Sequence, residues 1–591
     1  MSDRITVVDP LDFITLFKKV GKVSIKDYRI FGDCHVTKND VSCDSIEFTN
    51  CEFTEDFRFS DVILKFGIKF INCHFNSDLV FVKCSITGYD QVFNLEGYSL
   101  LLINCTIKNT VRISECRNID RGIRLAQKTN CNRIILNANT ITNGSISFSN
   151  STIQDQCDIE HNVVSDSISL ESSTTVECKV RIWNNTCAYL SFLNSEFKED
   201  IHVGGGTMKR VTFNNGIFHD DFNLGPFKSD EQLTIIGAEF KTKFSVKYND
   251  TTNQITGGCP KIYLSDSSFG IGLNVVGTNN LAKLPLLSSV MIISNEKLIG
   301  DISFRNFDVE EFSFHGNNTK AKIKLHNVQP LKLGFFEFTN SSKIQFFDFS
   351  PYYKGISVFE VSQSNLGSTE FYNAFLNKFT EIRITNSVVS DIITSNIRWF
   401  DPKLLEPEKH LGNSEKNFFY RNNRETFRQL KYAMEKQGNK IYALQFKSFE
   451  MQAYKNELRY KPDKKWYHEL PDKVILYLNQ ISNSHGINPV KPFVWILSFT
   501  VVFYWLIVIS ISPNLTWLPS LQANDWITSV KEFAKYSSAM PKMLNPLFVF
   551  DKTFIGFQSE HFSTSLWELL HRVFLSYLLF QFVSAFRKFV K

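Results

Sequence analysis

A mainly β fold, a right-handed parallel β-helix followed by an α-helical hairpin and C-terminal transmembrane helices, is what this 591-residue sequence predicts. Three observations carry it. The segment Ile46-Glu47-Phe48-Thr49-Asn50-Cys51-Glu52-Phe53 alternates apolar and polar residues, slips by one at Asn50 and resumes. A strand keeps a strict period of two, so a slip at Asn marks a corner between two short strands. The rung recurs as Ile68, Phe70, Asn72, Cys73, Phe75, as Ile146, Phe148, Asn150, Ser151, Ile153, and as Leu190, Phe192, Asn194, Ser195, Phe197. Finally, an uncharged apolar run from Phe493 to Ile511 is long enough to cross a bilayer.

Residues 1–24 are expected to cap the repeat, with Leu11, Phe13, Ile14, Leu16 and Phe17 covering an apolar end and a strand edge that would otherwise be exposed. Met1 to Pro10 lacks a basic stretch leading into an apolar core, so no signal peptide is expected.

Residues 25–400 form the predicted β-helix. The corners Asn150, Ser172, Asn194, Asn215, Gly237 and Asp266 follow one another at 22, 22, 21, 22 and 29 residues, and Asn50 to Asn72 is again 22. Asn306, Asn327 and Asp348 continue the series at 21, and Ile382, Ile384, Asn386, Ser387, Val389 is a late copy. Asn, Asp, Gly and Ser are the residues that best tolerate left-handed or tight-turn backbone. A fixed period of this length means a solenoid. The longer gap from Asn72 to Asn104 implies an insertion looping off one face.

The rung also reads as consecutive five-residue units, Ile-x-Phe-x-Asn then Cys-x-Phe-x-Thr, and so resembles the pentapeptide-repeat proteins, whose square coils carry an apolar residue at each unit's centre. Strict pentapeptides give 20 residues per coil, whereas this chain runs at 21 to 23. A degenerate pentapeptide-like solenoid is the reading that accommodates both.

The cysteines, 12 in all, lie between Cys34 and Cys259, several at one repeat position such as Cys51, Cys73 and Cys105. Small residues stacked at an inward position explain them, because free Cys behaves as a small buried hydrophobe. No CxxC pair indicates zinc. A reducing compartment follows as the expected setting.

Residues 401–490 read as a charged, Pro-containing linker followed by amphipathic helices, the first from about Arg424 to Gln437 with Phe427, Leu430 and Met434 on one face. Gly438 can end it and Asn439 can cap a second helix carrying Ala443, Phe446, Phe449 and Ala453. The run Glu425-x-x-Arg428-x-Leu430-Lys431, Gly438-Asn439, Ala443, Phe446, Glu450, Met451 is similar to the helical segment that follows pentapeptide-type repeats in certain bacterial membrane proteins. Glu425, Arg428 and Glu450 are expected to make salt bridges within this hairpin rather than a binding site.

Residues 491–591 are the predicted membrane domain, with spans at about 493–511 and 566–586, and Leu544 to Phe550 as an interfacial segment. The second span holds Glu568, His571 and Arg572, charge and polarity that are costly inside a bilayer and that line a pathway, pair across helices or reach headgroups. Its end, from Gln581 to Lys591, again resembles the closing helix of the same bacterial membrane-protein group. Residues 453–491 hold seven Lys and Arg, and Arg587, Lys588 and Lys591 follow the second span, against four in the longer segment between. The positive-inside rule therefore puts both termini in the cytoplasm, and the resemblance implies a bacterial inner membrane.

Charge narrows the partners. Residues 1–400 carry 40 basic against 44 acidic side chains, too weak a field for mimicry of DNA, so no nucleic-acid partner is expected. The basic excess, 25 against 16, sits in residues 401–591 and suits anionic headgroups. Parallel β-helices that act on polysaccharides gather carboxylates on one face; Arg210, His219, Asp220 and Asp221, or Arg305 and His315, are the nearest equivalents, and scattered solvated charge explains both groups. No catalytic, cofactor-binding or metal-binding residue is assigned. The expected protein is a non-enzymatic scaffold that binds or senses along its β-helix, through a protein partner or self-association, and whose membrane hairpin anchors it or perturbs the bilayer in defence or stress. A channel or transporter component with the β-helix as regulatory domain, and a carbohydrate-active enzyme, are the alternatives. The first span is followed by no Thr-Val-Gly-Tyr-Gly filter, so a selective potassium channel is not supported.

Overall fold

Ile46 stands beside Ile68, Ile68 beside Leu100, and the same column continues through Ile123, Ile146, Ile168 and Leu190. Every one of these pairings is parallel, which requires the chain to travel once round a coil before it meets itself again. The ladder begins with the strand Gly21–Lys26 and ends with Glu381–Thr385, giving a parallel β-solenoid of about 16 turns. This is a computed structural model, and it describes residues 6–87, 98–248, 260–278, 284–352, 355–405, 410–461, 469–511, 523–547 and 562–586. The insertion expected between Asn72 and Asn104 falls on 88–97, outside the described residues. The chain divides into two compact units, Met1–Leu404 and Leu405–Lys591.

Identical side chains stack from coil to coil because the register is exact in the ladder. Phe48 lies 4.7 Å from Phe70 with rings 7° apart, and Phe53 lies 4.6 Å from Phe75 at 2°. Farther on, Phe197 stacks on Phe218 and Phe218 on Phe240. These spacings follow the ~4.8 Å between hydrogen-bonded strands, and all seven of these rings are at most 1% exposed. Each such ring contributes about 2–3 kcal/mol of apolar burial.

The predicted corners Asn50, Asn72, Asn104, Asn150, Ser172, Asn194, Asn215, Gly237, Asp266 and Asn386 all have positive φ, between 49° and 64°. Asn306, Asn327 and Asp348 do too, yet they belong to a second corner. The strand leading into Asn306 pairs back through Leu273 and Phe244 to Phe222, on the far side of the coil from Ile46. That second corner is carried earlier in the chain by Asp61, Lys83, Glu115, Ala138 and His161, at φ of 53° to 56°. A coil therefore has two left-handed corners, and the single series read from the sequence crosses from one to the other after Asp266. Both sides share the same apolar-x-apolar-corner pattern, so an Asn alone does not say which side it is on.

The N-terminal segment seals the first coil. Asp9 accepts the Leu11 N–H at 2.9 Å and Pro10 opens helix α1, Pro10–Thr15. Phe13 and Phe17 are fully buried against Phe48, and Phe13 also meets Phe53 and Phe57.

The second unit is helical. Helix α2 spans Asn413–Lys436, eleven residues earlier at its start than the periodicity predicts, with Glu415 bonded to the Gly412 N–H at 2.8 Å. Gly438, at φ 74°, ends the turn, and Asn439 accepts the Tyr442 N–H at the start of α3, Lys440–Tyr460. Then come α4, Leu470–Asn483; α5, Val490–Ile511; α6, Ala523–Lys535; the short α7, Ala539–Lys542; and α8, Phe562–Phe586. Helices α5 and α8 are long and apolar enough to cross a membrane. They run antiparallel, since Phe493 meets Phe582 at one end and Ser510 Oγ meets Thr564 Oγ1 at 3.0 Å at the other. Of the interfacial segment expected at 544–550, residues 548–550 lie outside the described residues.

Candidate functional site

The costly polar groups sit on α8. Glu568 and Arg572 lie one helical turn apart and form an ion pair in which the carboxylate is the more buried member. His571 projects from the adjoining face, is 4% exposed and packs against Phe503 of α5, ring centroids 5.5 Å apart. Its Nε2, the Arg572 Nε and the Trp567 Nε1 are buried without a hydrogen-bond partner. The predicted trio is thus split: Glu568 and Arg572 pair with each other, while His571 is turned toward α5.

A second polar cluster joins α4 to α8 and has no local signature in the sequence. Gln581 donates to Asn479 Oδ1 at 3.0 Å, and the Asn483 amide donates to Gln581 Oε1. Tyr577 reaches Asn479 Oδ1 and Ser482 Oγ, both at 3.4 Å. Asn483, Ser482 and Gln581 are 2%, 4% and 6% exposed. Buried amides in this arrangement fix one docking of α4 on α8, because any slip leaves them unpaired at ~1–3 kcal/mol each. About one hundred residues separate the partners, and only an Asn spacing of four in α4 hints at a polar face.

At the turn after α4, Ser484 and His485 both adopt left-handed backbone, φ 52° and 58°. His485 is 8% exposed, and burial, helped by Lys455, pushes its pKa down to about 4. It is neutral near pH 7.

The expected hairpin salt bridges form. Arg428 pairs with Glu425 at 2.7 Å within α2, and Glu450 of α3 pairs with Lys431 of α2 at 2.8 Å.

On the solenoid, the charged groups singled out from the sequence are engaged separately. His219 meets Glu196 at 2.8 Å, which also pairs with Lys198, and Arg210 pairs with Glu231 at 3.0 Å. Asp221 accepts the Lys243 N–H at 3.2 Å, and Asp220 accepts the N–H of Asp221. His315 stacks on Phe336, and Arg305 donates to Ser303. No group of three or more His, Cys, Asp or Glu suited to a metal ion occurs among the described residues.

From Cys51 to Asn185 the position after these two corners, Val62 excepted, takes a small or hydrogen-bonding side chain inside the coil, whereas apolar Phe307, Val328 and Phe349 fill it after Asn306, Asn327 and Asp348. On the first corner it is Cys51, Cys73, Cys105, then Thr129, Ser151 and Thr174, with Cys105 N–H donating to Thr129 Oγ1 at 3.3 Å. On the second it is Cys84, Cys116, then Asn139, Asn162 and Asn185, all at most 4% exposed. The eleven described cysteines are free and buried, and Cys259 lies outside the described residues.

Comparison of the chain with protein-family models, with curated proteins and with solved structures returns no match.

Proposed function

We propose that the chain is a non-enzymatic scaffold anchored in a bacterial cytoplasmic membrane, with both termini on the cytoplasmic side and a pentapeptide-like solenoid that binds a protein partner or a second copy of itself. A β-solenoid with C-terminal apolar helices fits a membrane-anchored scaffold. The observation that carries the reading is the outer surface of α5 and α8. From Phe493 to Trp505 the exposed residues of α5 are apolar apart from Ser498, and those of α8 carry no charge. Exposed apolar area of that extent on two antiparallel helices is stable against lipid and not against water. Against catalysis, His219 and Arg210 lie in separate ion pairs, and Asp220 and Asp221 accept backbone N–H groups.

Alkaline carbonate extraction of cell membranes tests the anchor: the protein should stay in the pellet, and its release would overturn the reading. Orientation is tested by protease added outside spheroplasts, which should leave tags at both termini intact.

A membrane-perturbing hairpin is a second reading, favoured by the partly buried Glu568–Arg572 pair and the partnerless His571 nitrogen at the α5–α8 contact. Dye release from vesicles containing the full chain tests it, and no release in any oligomeric state would sink it.

A further inference from the structure

We infer that the helical unit holds one anionic phospholipid of the bilayer, its acyl chain against α4, α5 and α8 and its headgroup on Lys455 and Lys491; this rests on the membrane-anchored reading above.

Two cavities adjoin at the start of α5. The first, about 330 Å³, is lined by Leu478, Ile481, Trp495, Phe499, Phe574 and Tyr577 and is almost wholly apolar. The second, about 680 Å³, shares Ile481 and Trp495 with it and adds Lys455, Lys491, Gln480 and Tyr477. A ligand spanning both must be apolar at one end and anionic at the other.

The two lysines are available to such a ligand. Lys455 donates to Gln480 and lies over the Tyr477 ring at 5.4 Å, and neither it nor Lys491 has a carboxylate partner among the described residues. Nearby acids are already engaged: Glu469 pairs with Lys473 at 2.8 Å and Lys461 at 3.2 Å, and Asp472 accepts from Tyr454. His485, in the field of Lys455, is held neutral and adds no positive charge to that of the lysines.

Order along α5 selects lipid over a soluble amphiphile. Lys491, Trp495 and Phe499 follow one another at one-turn intervals, so cation, amphipathic indole and apolar ring descend over about 12 Å. That is the sequence of headgroup, interface and hydrocarbon that a bilayer presents to a span. The exposed face of α4, Val474, Leu478 and Ile481, continues the apolar wall.

The test uses the full chain in a neutral detergent and native mass spectrometry, titrated with phosphatidylglycerol or with phosphatidylcholine of the same acyl chains. Wild type should retain phosphatidylglycerol preferentially, by about five-fold for each lysine engaged. K455Q/K491Q should bring the two lipids to parity, and K542Q should not. Unchanged elution volume and circular dichroism establish that the double variant is folded. Parity in wild type, or an undiminished preference in the double variant, overturns the inference. Displacement of phosphatidylglycerol by glycerol phosphate in place of lipid overturns the acyl half of it. Carbonate extraction separates the two levels: a protein that stays in the membrane without lipid preference loses only the site, whereas one that is extracted loses the anchor as well.

Discussion

The Asn162 backbone N–H and side-chain amide both donate to one oxygen, Asn185 Oδ1, at 2.9 and 3.0 Å. One coil earlier Asn139 does the same to Asn162, and the Asn162 amide also donates to Leu136 O at 2.9 Å. Asn162 is wholly buried, so nothing but protein can satisfy these groups. Asn162→Ala should destabilise the solenoid by about 3 kcal/mol, since it strands the Asn139 N–H and a second buried polar group. Because a repeat stack opens locally, the loss is to be read by amide hydrogen exchange across residues 134–185, compared with the coils near Phe335.

Ala138 holds φ at 55° without an amide or a glycine's freedom to justify it. Ala138→Gly should stabilise by ~0.5–1 kcal/mol, the relief of left-handed backbone exceeding the entropy of the added glycine. Asn72→Ala should lose about 2 kcal/mol, because Asn72 combines that backbone with hydrogen bonds to Asn50 at 3.2 Å and from Asn104 at 2.8 Å. Urea midpoints of the two variants should move in opposite directions.

Burial raises the thiols of Cys34, Cys178 and Cys187 to about 12 and that of Cys43 to about 11. At pH 8 less than about one molecule in a thousand carries a thiolate at any of them. Peptide mapping after N-ethylmaleimide should find these four unlabelled in the folded protein and fully labelled in urea.

For His485 the folded pKa, about 4, lies below the ordinary 6.5, so the unfolded chain takes up the proton first as pH falls. The stabilisation is whole above pH 6.5 and is lost progressively toward pH 4. The helical unit should weaken by up to about 2 kcal/mol between pH 7 and pH 5. His485→Asn, which keeps the left-handed turn, should remove that dependence from the melting temperature followed by tryptophan fluorescence.

Removing one member of the Glu568–Arg572 pair leaves the other partly buried with this ion pair broken. Glu568→Ala and Arg572→Ala should each cost about 3 kcal/mol, and the double substitution less than either single one. Thermal loss of the monodisperse peak in size-exclusion chromatography gives the cycle.

The rung from Ile46 to Phe53 was legible because a strand's period, a corner residue and a repeat length all point to one structure. Lys83, Glu115, Ala138 and His161 were not legible as corners, since their side chains state no preference for left-handed backbone and the coil imposes it. Helix α4 escaped for a related reason: Val474, Ile475 and Leu478 are exposed, so its apolar residues do not mark a buried stripe. The two long apolar helices announced themselves by composition, whereas the amide cluster of Asn479, Asn483 and Gln581 arises only when segments far apart in the chain dock.

The Ile46 column has a bearing on inheritance. A residue in it touches its counterparts one coil before and one coil after, and the coil between Asn50 and Asn72 meets no third neighbour along the ladder. Removing or duplicating a 22-residue segment that starts and ends at equivalent corners preserves every kind of contact and changes only how many there are. Length of the solenoid is consequently a trait that can be altered by unequal recombination in whole steps, with the end-sealing Phe13 and Phe17 untouched.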